Sequence, residues 1–235
     1  MTIPLKCILA IDTNNGIATE NGIPWYIKED FSFFKHVTTT VQSNKSLNAV
    51  IMGRNTYESI GKILKGRLNV VISNRLNNEY TGIEQCITFG SVEEAIKWLN
   101  IQKYHYIESI FIIGGIQLYN WCFSFVKCDM IYLTKIKADY KTTKKVNIVN
   151  LNEYYVKNTE IINVQDHNDI EKGLIEVEFV TYIKNTKEIH NYEESKYLEL
   201  MQEILKNGNI RPTRNANTYA LFGKSLEFDL KNGFP

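Results

Sequence analysis

The sequence predicts an α/β fold: a mostly parallel, twisted sheet with flanking helices, an antiparallel hairpin at its C-terminal edge, and a short α+β tail. Three observations lead there. Short apolar runs that end in glycine, asparagine or serine alternate with amphipathic helical stretches as far as residue 136. Two segments, near 153–164 and 174–184, then alternate polar and apolar residues around Asp166-His-Asn-Asp169, the pattern of a hairpin on a sheet edge. A polar, aperiodic stretch at 185–194 separates all of this from a last amphipathic segment.

Taken in order, Leu5 to Ile11 reads as a strand that stops at Asp12-Thr-Asn-Asn-Gly16, a strong turn signal. Two glycines and Pro24 make residues 12–25 a loop. The spacing of Ile27, Phe31, Phe34 and Val37 predicts a helix with those residues on one face. Asn48 to Met52, ended by Gly53, and Leu68 to Ile72, ended by Ser73-Asn74, read as buried strands. Ser91-Val-Glu-Glu94 has capping-box spacing and opens a helix with Val92, Ala95, Ile96 and Leu99 inward. Ile110 to Ile113 is a strand that stops at Gly114-Gly115, and a short helix with Leu118 follows. Met130 to Ile136 is the next strand. Beyond the linker at 185–194, Tyr197, Leu198, Met201, Ile204 and Leu205 form a helical face closed by Asn207-Gly208. Strand-like runs at 217–222 and 225–230 flank Gly223. A tail of about forty residues is too small to hold its own core.

The 235 residues suffice for one sizeable core but not for two enzymes of ordinary size. A net charge of +1 provides no global field for nucleic acid or an acidic membrane. No stretch is long and apolar enough to span a bilayer. The start of the chain lacks the features of a signal peptide, so a reducing, cytoplasmic setting is expected. Cys7, Cys86, Cys122 and Cys128 form no CxxC and read as buried free thiols, with a disulfide or metal site as the alternative. His36, His105, His167 and His190 show no metal-ligand spacing.

Four stretches could carry chemistry. In Asn21-Gly-Ile-Pro-Trp25, Pro24 stiffens the loop and Trp25 anchors it. Asp30 follows on the helix, one turn from Ile27 and Phe34, where its carboxylate could face an apolar pocket and its pKa would rise. The alternative is a solvated acid beside Lys28 and Glu29. Val50-Ile-Met-Gly-Arg-Asn-Thr56 is a strand running through glycine into a helix, a turn that brings backbone N–H groups to an anion, with Arg54 as a phosphate partner. A plain turn with a surface arginine is the alternative. In Ile112-Ile-Gly-Gly-Ile-Gln-Leu-Tyr119, two glycines permit close approach of a ligand, or simply tight strand–helix packing. The Rossmann GxGxxG is absent. Finally, Arg67 stands just before a strand in Leu64-Lys-Gly-Arg67, where it could fork a carboxylate or lie on the surface.

In this order and spacing the pieces resemble dihydrofolate reductase over residues 1 to about 184. They are Cys7-Ile-Leu-Ala-Ile11, Gly22-Ile-Pro-Trp25 with Asp30, Ile51-Met-Gly-Arg54 with Thr56, Gly66-Arg-Leu-Asn-Val-Val-Ile-Ser73, Ile113-Gly-Gly115 with Tyr119, and Tyr132-Leu-Thr134. Each is weak alone; the set in register is specific. The resemblance implies NADPH as cofactor, dihydrofolate as substrate and antifolates as inhibitors. It makes Asp30 the one ionisable group of the pteridine pocket, assisted by Trp25 and oriented by Thr134. Ile8 and Ile113 would line the meeting point of the rings, Phe34, Ile60 and Leu64 would hold the substrate, and Arg67 would pair with its glutamate carboxylate. Ala10 and Ile17 would flank the nicotinamide. Arg54, Thr56, Ser73 and Asn74 would meet phosphates and adenosine, and Gly114, Gly115, Gln117, Leu118 and Tyr119 would cover the pyrophosphate and nicotinamide. The family joins its two glycines by a cis peptide, and residues 12–25 would be a lid. Asp139-Tyr-Lys-Thr-Thr-Lys-Lys-Val-Asn147 departs from the family's Asp-Thr-x-Phe-Pro pattern beside that lid. Asn74 stands where some members carry a basic residue, with Arg75 after it.

Residues 195–235 resemble a second family. Tyr197 to Gly208, Arg211-Pro-Thr-Arg214, Leu221-Phe-Gly223 and Phe228 to Pro235 look like the first part of thymidylate synthase. Arg214 matches its nucleotide-phosphate arginine, although the following loop departs from the family's Thr-Gly-Thr-Gly pattern. No catalytic-cysteine segment is present. The simplest expectation is the reductase part, with a truncated synthase part, of a bifunctional protein that would form a homodimer if its synthase part were complete. A reductase of another pterin or pyrimidine, and a non-catalytic folate-binding or assembly module, are the competing readings.

Overall fold

The structure, a computed structural model, describes residues 2–73, 86–101, 106–125, 127–185, 200–201, 203–204, 206–212 and 217–220. The chain divides into two compact units, Met1–Lys184 and Asn185–Pro235.

The first unit contains β1 (Leu5–Ile11), β2 (Gly16–Ala18), α1 (Lys28–Thr39), β3 (Leu47–Gly53), α2 (Arg54–Ile60), β4 (Arg67–Ile72), β5 (Cys86–Phe89), α3 (Val92–Asn100), β6 (Ile107–Ile112), α4 (Ile116–Ser124), β7 (Met130–Ile136), β8 (Lys144–Lys145), β9 (Tyr154–Gln165) and β10 (Leu174–Lys184). Eight strands form one sheet in the order β5-β4-β3-β6-β1-β7-β10-β9. The pairings from β5 through to β7 are parallel. β10 runs antiparallel to β7 and to β9 and closes the edge as a hairpin. The fold is thus the mostly parallel α/β sheet with an antiparallel edge that the sequence predicts.

Alternation along the strands divides the core by face. Cys7, Leu9, Ile51, Ile112, Leu133 and Val180 join residues of α3 and α4 on one side. Ile8, Val50, Met52, Val71, Phe111 and Ile113 face the other side, where Phe33, Phe34 and Val37 of α1 pack. Because the central strands are covered on both faces, their runs are continuously apolar rather than alternating. Ser91 caps α3 by accepting from the Glu94 N–H at 3.2 Å, and Val92, Ala95 and Leu99 are buried, as the capping-box reading expects. All four cysteines are buried and free.

Several expectations need correction. Ile27 is buried but precedes α1 as its N-cap, and Phe31 is 43% exposed. The inward stripe is Asp30, Phe33, Phe34, Val37 and Thr38: Phe34 and Val37 lie on it as expected, but Phe33, 4.7 Å from Phe179, takes the inward place expected for Phe31, which turns outward to Tyr26 at 5.3 Å. The loop 12–25 contains β2, which pairs with β8 inside the atypical 139–147 segment. β5 was not anticipated: four mixed residues carry little periodicity, and parallel pairing with β4 makes the strand.

In the second unit, the described residues between 200 and 207 are helical, and the Gly208 N–H donates to the Ile204 carbonyl at 2.8 Å. The strand β11 (Asn209–Pro212), absent from the sequence reading, pairs antiparallel with β12 (Asn217–Ala220), the start of the expected 217–222 run. Tyr197, Leu198, Leu205, Gly223, the 225–230 run and residues 186–194 of the linker lie outside the described residues. Among the described residues no helix is long and apolar enough to cross a membrane.

Candidate active site

The site is built where neighbouring parallel strands end. β3 stops at Gly53 and β6 stops just before Gly114, and the Gly53 N–H donates to the Gly114 carbonyl at 2.8 Å. The two strand-to-helix turns are therefore tied together. The Gly114–Gly115 peptide is cis, as the resemblance implies, and Gly114 has φ +123°. A side chain at either glycine would crowd the facing residues. A Cβ on Gly115 would meet Thr56 Oγ1 at 3.2 Å, and one on Gly114 would meet the Tyr119 hydroxyl oxygen at 3.4 Å. Tyr119, one turn into α4, is buried and donates to the Ile8 carbonyl on β1 at 3.0 Å. Burial pushes its hydroxyl well above the usual tyrosine range.

Asp30 sits in the first turn of α1, where its side chain faces the sheet. Thr134, fully buried on β7, hydrogen-bonds the carboxyl. Part of the Asp30 surface remains open, but the groups around the carboxyl strip its water. Burial pushes its pKa up to about 6, against the opposing pull of the Thr134 bond. Desolvation wins here even over a helix N-terminus, which favours the charged form. No second acid stands nearby to share the proton, and among the described residues no cluster could hold a metal.

Arg67 is only 5% exposed, so the surface alternative is wrong. Its Nη1 donates to Thr38 Oγ1 at 2.8 Å and its Nε to the Lys65 carbonyl at 3.2 Å, while the guanidinium lies 5.9 Å from the Phe34 ring. No carboxylate among the described residues forms an ion pair with it. Asn69, buried inside β4, sets this corner. Its side chain accepts from the Leu64 N–H at 2.9 Å and donates to the Leu64 and Arg67 carbonyls at 3.1 and 3.0 Å. Phe34, Ile60 and Leu64 pack around the same apolar cluster as Ile8 and Ile113. The structure brings together the residues assigned to the substrate.

The remaining predicted residues are placed as follows. Trp25 is 3% exposed and packs with Ile27, Ile136 and Phe179, with Ala10 beside them. Ile17 is in β2 and packs on the opposite core with Leu118. Arg54, a third exposed, pairs with Glu58 at 3.6 Å. Ser73 is buried, its N–H bonded to the Phe89 carbonyl at 2.9 Å, and Gln117 is exposed. Asn74, Arg75 and Arg214 lie outside the described residues.

The sequence reading missed the carboxylate under the loop 12–25. Asp12 is buried and accepts from the Asn14 and Gly16 N–H groups at 2.8 Å each, and from Thr142 Oγ1 at 2.8 Å. The Val146 N–H donates to the Asn15 carbonyl at 2.9 Å, and Thr143 Oγ1 to Glu20 at 3.0 Å. The segment 139–147 thus docks on the loop through its own residues despite departing from the family pattern. The signal was the Asp-Thr-Asn-Asn-Gly turn itself, whose aspartate caps backbone N–H groups two and four residues on.

A desolvated acid at the start of α1, and paired glycine turns at the carboxyl ends of parallel strands, mark an α/β protein of the class in which ligands bind at such strand ends. The comparisons specify the class. The dihydrofolate reductase family model matches residues 4–184, and the chain belongs to that family. Its relatives include a bifunctional dihydrofolate reductase-thymidylate synthase of Arabidopsis thaliana, 27% identical over 98% of this chain and 46% of the relative. The protein of the same name from Daucus carota is 28% identical over 98% and 50%, and that of Leishmania major 29% over 96% and 47%. The chain spans about half the length of the curated relatives it matches.

The Asp30 environment carries a stability consequence with a definite sign. Its folded pKa, about 6, lies above that of a solvated aspartate near 4. Folding therefore penalises the charged form: the penalty is absent well below about pH 4, grows between about pH 4 and the folded pKa of about 6, and is constant above it. Asp30→Asn is expected to stabilise the protein on the order of 1–3 kcal/mol at neutral pH, and by almost nothing at pH 4. Urea unfolding midpoints at both pH values check this; an equal gain at the two would rule out the penalty.

Proposed function

We propose that residues 1–184 form a dihydrofolate reductase domain that reduces 7,8-dihydrofolate to tetrahydrofolate with NADPH. The observation that carries this is Asp30: a carboxyl desolvated by burial and bonded to Thr134, in a chain that carries the family's motifs. At neutral pH a pKa of about 6 leaves a useful fraction protonated, which suits an acid that must favour protonation of the pteridine N5. Trp25 flanks this step and Thr134 orients the carboxyl. Ile8, Ile113, Phe34, Ile60 and Leu64 hold the ring system by apolar contact, and the buried Arg67 meets the glutamate carboxylate of the substrate.

The glycine pair fits a nicotinamide dinucleotide, since Thr56 and Tyr119 close on Gly114 and Gly115 where any Cβ would fill the cradle. When bound there, NADPH supplies the hydride that goes to C6. Around it, Arg54, Thr56, Ser73 and Asn74 would hold phosphates and adenosine. Gly115, Gln117, Leu118 and Tyr119 would cover the pyrophosphate, and Ala10 and Ile17 would flank the nicotinamide. The chain's own contribution is alignment, exclusion of water and a proton held at Asp30.

We further read 185–194 as a linker and 195–235 as a thymidylate synthase-like segment, with Arg214 for a nucleotide phosphate. The similarity of nearly the whole chain to relatives named as bifunctional supports this. A reducing compartment such as the cytosol suits four buried free thiols.

The test is NADPH oxidation followed at 340 nm, which is expected only when dihydrofolate is present. Asp30→Asn should lower kcat by roughly a hundredfold or more; full activity at neutral pH would remove Asp30 from the mechanism. Arg67→Ala should raise KM for dihydrofolate roughly 10- to 100-fold with a smaller change in kcat, from the loss of charge-assisted bonds. An unchanged KM would point to a substrate without a glutamate tail.

A further inference from the structure

Two segments with no role in the proposed chemistry, the turn that begins at Asp166 and the stretch that carries Tyr140, meet around Trp25. Asp166 begins the turn between β9 and β10 and is fully buried. One of its oxygens accepts from the Tyr26 N–H at 2.8 Å and the Asn168 N–H at 2.9 Å. The other accepts from the Tyr140 hydroxyl at 2.6 Å. The His167 N–H donates to the Tyr26 carbonyl at 3.0 Å, and Asn168 Nδ2 to the Pro24 carbonyl at 3.2 Å. The Tyr140 ring lies 5.2 Å from the Trp25 ring, and Lys172 Nζ lies 5.0 Å from the Tyr140 ring. Residues 24–26 are therefore gripped along their backbone by the 166–168 turn, and the Trp25 ring is backed by Tyr140.

A buried carboxylate is expensive unless its oxygens are bonded. Burial would push Asp166 up, but the bonds from Tyr140, Tyr26 and Asn168 outweigh it and hold the carboxyl below the usual range. Burial and the same bond push the Tyr140 hydroxyl up. The pair is thus carboxylate and phenol throughout the neutral range. Its grip leads directly to the acid. Trp25 and Ile27 share a cluster with Phe179, and Phe179 pairs across the sheet with Thr134, which bonds Asp30. Ile27 is also the N-cap of α1, three residues before Asp30.

We propose that Tyr140 and Asp166 are positioning residues: together they fix Trp25 and the start of α1, and so seat the Asp30 carboxyl in its dry site. Its value to catalysis rests on the reductase reading, but the brace can be tested without turnover. The polar and titratable groups that bear on Asp30 directly are Thr134 from β7 and Tyr119 from α4. Neither is altered by the variants below.

Tyr140→Phe deletes one hydroxyl and keeps the ring. Tyr154→Phe is the matched control, deleting a buried hydroxyl that donates to the Cys128 carbonyl at 2.8 Å. Two quantities are measured in the full chain: acrylamide quenching of Trp25, and titration of the Asp30 carboxyl by carbon NMR. For quenching, a Trp98→Phe, Trp121→Phe background leaves Trp25 the sole tryptophan. In Tyr140→Phe the quenching constant should rise about twofold or more, and the Asp30 midpoint should fall by about 1 pH unit toward that of a solvated aspartate. Tyr154→Phe should change neither. An Asp30 midpoint that stays put in Tyr140→Phe overturns the proposal, whether or not Trp25 becomes accessible, as does an equal fall in Tyr154→Phe. Failure of the wild-type protein to reduce dihydrofolate would remove the functional reading and leave these results to stand by themselves.

Discussion

The carboxyl of Asp30, stripped of water between α1 and β7, is the constraint around which the first unit is arranged. A helix start would ordinarily favour the charged acid, and so would a bond from Thr134. Burial outweighs both and places the pKa at about 6. That balance requires β7, paired on both sides inside the sheet, to supply Thr134. It also requires a helix register that turns position 30, not 31, toward the strands. A carboxyl so placed destabilises the folded chain at neutral pH.

The other features are answers to the same geometric problem. Two helices, α2 and α4, begin where the adjacent strands β3 and β6 end. Gly53, Gly114 and Gly115 make that approach feasible, and the bond from the Gly53 N–H to the Gly114 carbonyl fixes it. Tyr119 then ties α4 back to β1 through the Ile8 carbonyl, so the glycine turns and the apolar cluster around Ile8 form one connected unit. On the far side, buried carboxylates anchor the loops. Asp12 gathers the 12–25 loop and the 139–147 segment, while Asp166 gathers residues 24–26 and Tyr140.

Much of this was legible in the sequence, for physical reasons. Continuous apolar runs bounded by glycine or serine identified β1, β3, β4, β6 and β7, because strands buried on both faces tolerate little else. Ser91 and Glu94 marked the start of α3 through their capping spacing. The glycine turns, Asp30 and Thr134 emerged from motif spacing in register. What was not legible depends on tertiary partners. β5 exists because β4 offers it a ladder, and β2 and β8 because two loops meet. On α1, Phe34 and Val37 face inward as expected but Phe31 does not, because Phe31 and Phe33 are equally apolar; only the packing of Phe33 on Phe179 distinguishes them. Arg67 looked like a surface residue because its neighbours Lys65 and Gly66 are polar or small, and its burial comes from Thr38 and Phe34 across the fold. Asp12, Tyr140 and Asp166 act across more than a hundred or several tens of residues, distances at which local patterns are silent.

The central claim is that the proton held by burial at Asp30 is the one the reaction uses. The most direct measurement is the rate of hydride transfer from NADPH to dihydrofolate, followed in a single turnover between about pH 5 and pH 8. The account predicts a rate that is high at the acid end and falls as the pH rises through about 6, tracking the loss of that proton. A rate independent of pH across that range would contradict it.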